Sequence, residues 1–146
     1  MNYRTIQLTN KNIGAVSVDA LLPLGTITRK VCSGNCGTRT FEVTTSGADT
    51  IILNEKGYYD VVYNASLVAG AEGIVGVELL VNGTSVYTSS ASAASGETVN
   101  INVPYTIRVF DNCQAMPTNN PVSIQLKLVT TAISSGTSNL SVTRVY

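Results

Sequence analysis

Apolar side chains at every second position of one long stretch constrain the fold more than any other feature. Within residues 98–110, one side of the chain carries Val99, Ile101, Val103, Tyr105, Ile107 and Val109. The positions between them hold Asn100, Asn102, Pro104, Thr106 and Arg108. A period of two is typical of a β-strand with one buried and one wet face. Because Pro104 lacks an amide N–H, we expect this strand at a sheet edge or with a bulge.

The same alternation predicts strands along most of the chain. It recurs in residues 122–128 and in a closing strand over residues 139–146. Further strands are predicted over residues 5–8, 14–18, 26–31, 38–45, 50–53, 57–68, 77–81 and 84–88. Loops are predicted over residues 45–49, 54–56, 89–96, 111–120 and 134–138. No stretch has the apolar spacing of a helix.

The Asn82-Gly83 pair predicts a tight hairpin. Asn-Gly is favoured in two-residue type I′ turns, because both turn positions require a positive φ. Such a turn pairs Val81 with Thr84. The same register predicts Leu79 opposite Val86.

The order of these elements predicts one all-β domain. Short strands separated by turns, without intervening helices, are typical of a sandwich or barrel. We assign residues 26–146 to this domain. Residues 1–25 are either an N-terminal arm, which would dock on a neighbouring subunit or particle, or the first strands of the sandwich. Their apolar residues include Ile6, Leu8, Ile13, Val16, Val18, Leu21 and Leu22.

The charge content excludes two classes of partner. Charged residues form 12% of the chain, against about 25% in an average soluble domain. We therefore expect self-association that covers part of the surface, although a surface rich in Ser, Thr and Asn is the alternative. Net charge is zero and no stretch concentrates Lys or Arg, which predicts no binding to nucleic acid or membranes. Residues 13–24, interrupted by Asp19 and Pro23, are neither a membrane span nor an evident signal peptide.

Catalytic chemistry has little basis in this sequence. The chain has no histidine, which removes the commonest general base and the usual partner of a nucleophilic Ser or Cys. The acidic residues are scattered over different predicted strands and loops. They are Asp19, Glu42, Asp49, Glu55, Asp60, Glu72, Glu78, Glu97 and Asp111. We therefore predict that the protein is not an enzyme, with no catalytic residue and no cofactor.

The three cysteines leave their own chemistry open. Cys32 and Cys36 form a Cys-x3-Cys pair, and Cys113 stands alone. A short disulfide, two metal ligands and free thiols are the alternatives for the pair. The odd number leaves at least one thiol free or paired between chains. A structural zinc site needs four ligands, usually Cys or His, so we predict no metal site.

One segment carries a more specific pattern. Residues 57–66 read Gly-Tyr-Tyr-Asp-Val-Val-Tyr-Asn-Ala-Ser. With Gly57, Tyr59 and Tyr63, they resemble the Gly-x-Tyr-x-x-x-Tyr strand of the complement-q and tumour-necrosis-factor superfamily. Residues 77–83 are similar to that family's strand ending in an Asn-Gly hairpin. The likeness covers about residues 38–146 and is nearest to small bacterial and bacteriophage members. It implies a jelly-roll β-sandwich with both tyrosines in the core, assembled as a homotrimer.

The resemblance also implies a function. It predicts a virion structural protein, a trimeric decoration or head-fibre protein on a bacteriophage capsid, bound to the major capsid protein or other virion proteins. One alternative is a carbohydrate- or receptor-binding head for host-surface glycans, with exposed aromatic residues among Tyr3, Tyr58, Tyr87 and Tyr146. Another is a spore-surface trimer. Some family members bind calcium through loops, but Asp111 and Asn112 provide one carboxylate for an ion that prefers roughly six to eight oxygens.

Overall fold

A computed structural model describes residues 4–32, 40–43, 48–110 and 121–145. These residues contain ten β-strands and no helix. The strands are β1 (Arg4–Ile13), β2 (Thr26–Cys32), β3 (Phe41–Val43), β4 (Ile51–Leu53), β5 (Gly57–Ala69), β6 (Gly73–Val81), β7 (Thr84–Ala93), β8 (Thr98–Val109), β9 (Val122–Val129) and β10 (Ile133–Arg144). The all-β class predicted from the alternation is confirmed.

Two antiparallel sheets of five strands each form a sandwich. Sheet I has the order β2-β1-β10-β5-β8, and sheet II has the order β3-β4-β9-β6-β7. The first and last strands pair with each other, with Arg4 opposite Arg144 and Leu8 opposite Leu140. Both ends of the described chain therefore lie at one end of the sandwich. This wrapping into two packed sheets is that of a jelly roll.

The inner faces of the sheets enclose a continuous apolar core. Tyr59 and Tyr63 of β5 are fully buried, as predicted, whereas their neighbour Tyr58 is 42% exposed. Phe41 of sheet II meets Tyr59 edge-on, with ring centres 6.0 Å apart. Edge-to-face contact is a favoured geometry for aromatic rings. It joins the two sheets across the core.

Strand β8 follows its predicted facing. Its alternate residues Val99, Ile101, Val103, Ile107 and Val109 are buried and the polar residues between them are exposed. β8 lies at the edge of sheet I and pairs only with β5 in that sheet. The edge position predicted from Pro104 is confirmed. The missing N–H of a proline is tolerated there, because a second ladder is absent on that side.

The hairpin between β6 and β7 has the predicted turn but a different register. Asn82 and Gly83 have φ values of 51° and 81°, as a type I′ turn requires. Val81 pairs with Thr84, yet Leu79 lies opposite Tyr87 and not Val86. A bulge between Leu79 and Leu80 shifts the ladder by one residue. The turn alone fixes only the first pairs, and the bulge keeps Leu79 fully buried.

Residues 4–25 are built into the sandwich. Strand β1 lies between β2 and β10, and its residues Ile6, Leu8 and Ile13 are fully buried. The following segment runs beside β9, where the Leu22 N–H donates to the Leu126 carbonyl oxygen at 2.7 Å. An arm that docks on another subunit or particle is therefore wrong for residues 4–25. Their buried apolar side chains already have partners in this chain.

Several predicted boundaries were also wrong. β10 begins at Ile133 and β7 continues to Ala93, so the loops predicted over residues 134–138 and 89–96 are largely strand. These stretches consist mainly of Ser, Thr and Ala, so they show no alternation of apolar and polar residues. Pairing with β5 and β6 holds both stretches extended. Residues 14–18 form no strand and make only a single bridge from Val16 to Ile133. The predicted loop over residues 111–120 lies outside the described residues, as do parts of the elements predicted over residues 38–45 and 45–49.

Candidate interaction face

The outer face of sheet I divides into two chemically different halves. The half nearer the chain ends exposes apolar side chains, and we call it the apolar half. It comprises Tyr58 (42% exposed), Val62 (39%), Val145 (39%) and the exposed Pro104. Val62 pairs with Pro104 on β8, and the Val145 N–H donates to the Tyr58 carbonyl oxygen at 2.8 Å. These apolar side chains lie on neighbouring strands, with the exposed Asp60 between Tyr58 and Val62 on β5.

The other half carries a row of amides. Asn64 of β5 lies directly between Asn102 of β8 and Asn139 of β10. All three are exposed, and we call them the amide row. The next row pairs Asn100 with Ser66, whose hydroxyl donates to the Asn100 Oδ1 at 2.8 Å. A shallow open depression lies over both rows.

Charged groups on this face are few and lie mainly in the apolar half. The Thr106 hydroxyl donates to the Asp60 carboxylate at 3.0 Å. The Arg108 guanidinium lies 5.8 Å from the centre of the Tyr58 ring and 5.4 Å from that of Phe110. Contacts at such distances are attractive because a cation meets the electron-rich face of a ring. They hold Tyr58 and Arg108 together on adjacent strands.

The edge formed by β7 and β8 carries a pair of aromatic residues, which we call the edge pair. Tyr87 of β7 and Tyr105 of β8 have ring centres 6.5 Å apart with a tilt of 58°. Tyr87 is 37% exposed. The pair bridges β7 at the edge of sheet II and β8 at the edge of sheet I. It therefore lies at the side of the sandwich and not within the apolar half.

An ionic cluster closes the end of the sandwich where the chain ends meet. The Glu55 carboxylate lies 2.5 Å from Nη1 of Arg4 and 3.4 Å from Nη1 of Arg144. Arg4 also donates to the Thr40 hydroxyl, and Arg144 donates to the Lys56 carbonyl oxygen at 2.8 Å. Because Arg4 and Arg144 are cross-strand partners of like charge, the carboxylate between them offsets their repulsion. This cluster is a structural cap on the core.

Two core tyrosines have strongly perturbed hydroxyls. Burial raises the pKa of Tyr59 from 10 to about 12. The charge of Arg144 lowers this pKa by a smaller amount, and the charge of Glu55 raises it. The Tyr59 hydroxyl donates to the Glu55 carbonyl oxygen at 2.6 Å. Burial likewise raises the pKa of Tyr63 to about 12, against a smaller lowering by Ser138. Within the described residues, the hydroxyls of Tyr63 and Ser138 make no hydrogen bond of ordinary geometry.

Most residues that the sequence singled out for chemistry are dispersed, although Glu72 and Glu97 line one open depression. The described acidic residues lie in separate strands and loops, and nowhere in the described ranges do three or more His, Cys, Asp or Glu residues gather as metal ligands. Cys32 ends β2, whereas its candidate partner Cys36 lies outside the described residues. The same holds for Cys113, Asp111, Asn112, Tyr3 and Tyr146. The described ranges also contain no helix that is long and apolar enough to cross a membrane.

Sequence reasoning missed the amide row. The alternation in residues 98–110 predicts Asn102 on the wet face of its strand, but no pattern along the chain indicates that the three asparagines lie side by side. Asn64 and Asn102 are far apart in sequence. Asn139 is the first residue of the predicted closing strand, whereas β10 begins earlier, at Ile133. The only signal was the frequency of Asn at outward strand positions, where this residue type is uncommon.

Solved structures of known proteins share the arrangement of these strands. The globular domain of zebrafish complement 1qA protein is 7% identical, with a TM-score of 0.70 over 98% of both chains. Eiger TNF from S. frugiperda is 8% identical, with a TM-score of 0.69 over 100% of this chain and 94% of that one. This chain has the complement-q/tumour-necrosis-factor jelly-roll fold. The resemblance drawn from Gly57, Tyr59 and Tyr63 is confirmed at the level of fold.

A viral protein has a similar jelly roll. The PRD1 vertex protein P5 is 14% identical, with a TM-score of 0.52 over 99% of this chain and 97% of that one. No protein-family model and no curated protein matches the sequence. At these identities the likeness to solved structures defines the fold and leaves function to be argued from the surface.

Proposed function

We propose that this protein is a non-enzymatic structural protein of a bacteriophage virion, a homotrimer that decorates the capsid or forms part of a head fibre. It would lie on the capsid surface, bound to the major capsid protein or another virion protein. The likeness of nearly the whole chain to the PRD1 vertex protein P5 supports this assignment. The sequence also lacks histidine, and in the described ranges no three or more His, Cys, Asp or Glu residues gather as metal ligands.

The observation that carries the trimer is the apolar half of sheet I. A monomer would leave Tyr58, Val62 and Val145 in water, each between 39% and 42% exposed. Removing apolar surface from water contributes about 25 cal/mol per Å². Exposed apolar side chains that cluster on one face are typical of protein–protein contact sites. The low charge content of the chain agrees with a surface that is partly covered by other subunits.

The edge pair, Tyr87 and Tyr105, favours a closed ring of subunits. A twofold contact would join the apolar half to itself, whereas Tyr87 and Tyr105 offer a different surface at the β7–β8 edge. When the edge of one subunit packs on the face of the next, the contact is heterologous and generates a ring if the rotation closes. The resemblance to the complement-q and tumour-necrosis-factor superfamily implies that such a ring contains three subunits.

Light scattering with one variant pair tests the trimer. We expect a mass of about three chains for the wild-type protein. Val62→Lys places a charge in the apolar half and should shift the mass to one chain, because a buried unpaired charge is costly. Ile74→Lys is the matched control, since Ile74 is 50% exposed on sheet II. A wild-type monomer at micromolar concentration would overturn the trimer.

The location on a virion needs a separate experiment. An antibody raised against the purified protein should label heads in electron micrographs of phage particles from the producing host. The genes beside its coding sequence should include capsid and portal genes. Particles that contain no copy of the protein by mass spectrometry would exclude the virion assignment and leave the oligomeric state untouched.

A further inference from the structure

The outer face of sheet I changes from apolar to polar at one level along its strands. On β5, the exposed Val62 of the apolar half and Asn64 of the amide row are only two residues apart. Their cross-strand partners on β8, Pro104 and Asn102, show the same change. The face is therefore apolar toward the chain ends and rich in amides toward the turn that joins β7 to β8.

The β7–β8 edge changes in the same direction. The two strands are joined by a short turn, so they run in opposite directions. From the edge pair toward this turn, the edge carries Ser89 and Ala91 on β7 and Asn102 on β8. Ser89 and Ala91 lie on the side of β7 that carries Tyr87, because side chains alternate along a strand. The edge is thus aromatic at the level of the apolar half and small and polar at the level of the amide row.

These two matching patterns fit a threefold axis that runs along the strands. Rotation about such an axis leaves the level of every residue unchanged, so each edge meets the neighbouring face at its own level. The edge pair then meets the apolar half, and residues 89–91 meet the amide row. A contact with the strand direction inverted would instead place Ser89 against Val62, a polar group against an apolar one.

The apolar half alone is too small for a stable contact. Stable interfaces cover roughly 800 Å² on each partner, from about 20–30 residues a side, and the apolar half comprises four residues. The contact must therefore extend along the same strands to the amide row. β7 pairs with β6 alone, and the backbone groups on its other edge need partners once they are covered. An asparagine side chain offers both N–H donors and an acceptor oxygen to such an edge.

We propose that the amide row binds residues 89–91 of a second copy of this chain and thereby fixes the register between subunits. This inference rests on the proposed trimer, for which it names a pair of contacting surfaces. Neutral hydrogen bonds add little net stability, but a polar group that is covered without a partner is costly. A shift of one subunit along its neighbour would move Asn64 toward the ring of Tyr87 and leave amides unpaired. One buried asparagine specifies register in coiled coils for the same reason.

A charge placed in the row tests this contact. Asn64→Asp conserves the size of the side chain, and its mass by light scattering should fall from three chains to one, because the contact would cover an unpaired carboxylate. Adding Ser89→Lys should restore three chains, since each lysine then lies opposite an aspartate of the next subunit. Ser85→Lys, at an exposed position of β7 on the other side of Tyr87, is the matched control and should not restore the trimer.

A cysteine pair gives a second measurement of the same contact. In Asn64→Cys/Ser89→Cys, mild oxidation should join position 64 of one subunit to position 89 of the next, as located by peptide mass. Asn64→Cys/Ser85→Cys should give no such link between its two positions.

The outcomes separate this inference from the proposed trimer. A wild-type monomer would overturn both. A wild-type trimer would leave the proposed oligomer standing, and three further results would then overturn the contact alone. These are a trimeric Asn64→Asp variant, equal effects of Ser89→Lys and Ser85→Lys on that variant, and no link between positions 64 and 89.

Discussion

Tyr63 is the residue at which burial has the clearest chemical consequence. Its side chain is fully buried, its hydroxyl makes no hydrogen bond of ordinary geometry among the described residues, and burial raises its pKa to about 12. An ionised phenolate is excluded from such a site because it would lose its hydration without compensation. The hydroxyl therefore stays largely neutral near pH 10, where an exposed tyrosine is half ionised.

This pKa predicts alkaline destabilisation. Below pH 10 the phenol is neutral in both states, and the folded protein keeps its full stability. Between pH 10 and about 12 the unfolded chain releases the proton of Tyr63 first, so the free energy of unfolding falls as pH rises. Thermal melts across this range should show the Tm falling, and Tyr63→Phe should reduce the slope. An unchanged slope in Tyr63→Phe would contradict the assignment, with Tyr58→Phe as the exposed control.

At the scale of elements, two glycines with the same sign of φ have different roles. Gly83 lies in the β6–β7 turn with φ 81°, and the space around it is open. Gly25 precedes β2 with φ 89°, and a Cβ built there would lie 2.2 Å from the Thr9 carbonyl oxygen. The first position requires only a backbone conformation. The second also requires the absence of a side chain, because the chain passes directly against β1.

Alanine at these two positions should therefore have unequal effects. Gly83→Ala meets only the cost of a left-handed conformation, about 1–2 kcal/mol. Gly25→Ala adds a clash with backbone that cannot rotate away, and we expect a larger loss in the free energy of unfolding, measured by urea denaturation. Equal losses would mean that the segment before β2 shifts freely away from β1.

At the scale of the whole molecule, stability depends on the first strand. β1 fills the gap between β2 and β10, and with the segment that follows it buries Ile6, Leu8, Ile13 and Leu22 completely. Each such side chain contributes about 1.5–3 kcal/mol, against a total stability of about 5–15 kcal/mol for an average domain. The N-terminal segment is thus a part of the core.

Deletion of residues 1–20 should unfold the protein. The truncated chain would lose the buried side chains of Ile6, Leu8 and Ile13 and leave β10 with an unpaired edge, which invites aggregation. Circular dichroism and size-exclusion chromatography should report an unfolded or aggregated product. Ile27→Ser is the control for a change in this region, because Ile27 is 48% exposed on β2. A folded, soluble truncated chain would restore the idea of a separable arm.

The correct predictions from the sequence concern properties that depend on near neighbours along the chain. Alternation in residues 98–110 gave the facing of β8, and Asn82-Gly83 gave the turn, because side-chain period and φ preference are local. The spacing of Gly57, Tyr59 and Tyr63 led to the family of folds. Pro104 correctly indicated an edge strand, since a missing N–H has a local cost.

Features that depend on distant parts of the chain could not be predicted and became evident in the folded structure. The bulge that sets Leu79 opposite Tyr87 comes from fitting β6 and β7 to the core. The place of β1 depends on β10, more than a hundred residues away. The amide row exists because β5, β8 and β10 become neighbours. Local preference acts through a few bonds, whereas strand pairing and burial bring together residues whose separation in sequence carries no information about their contact.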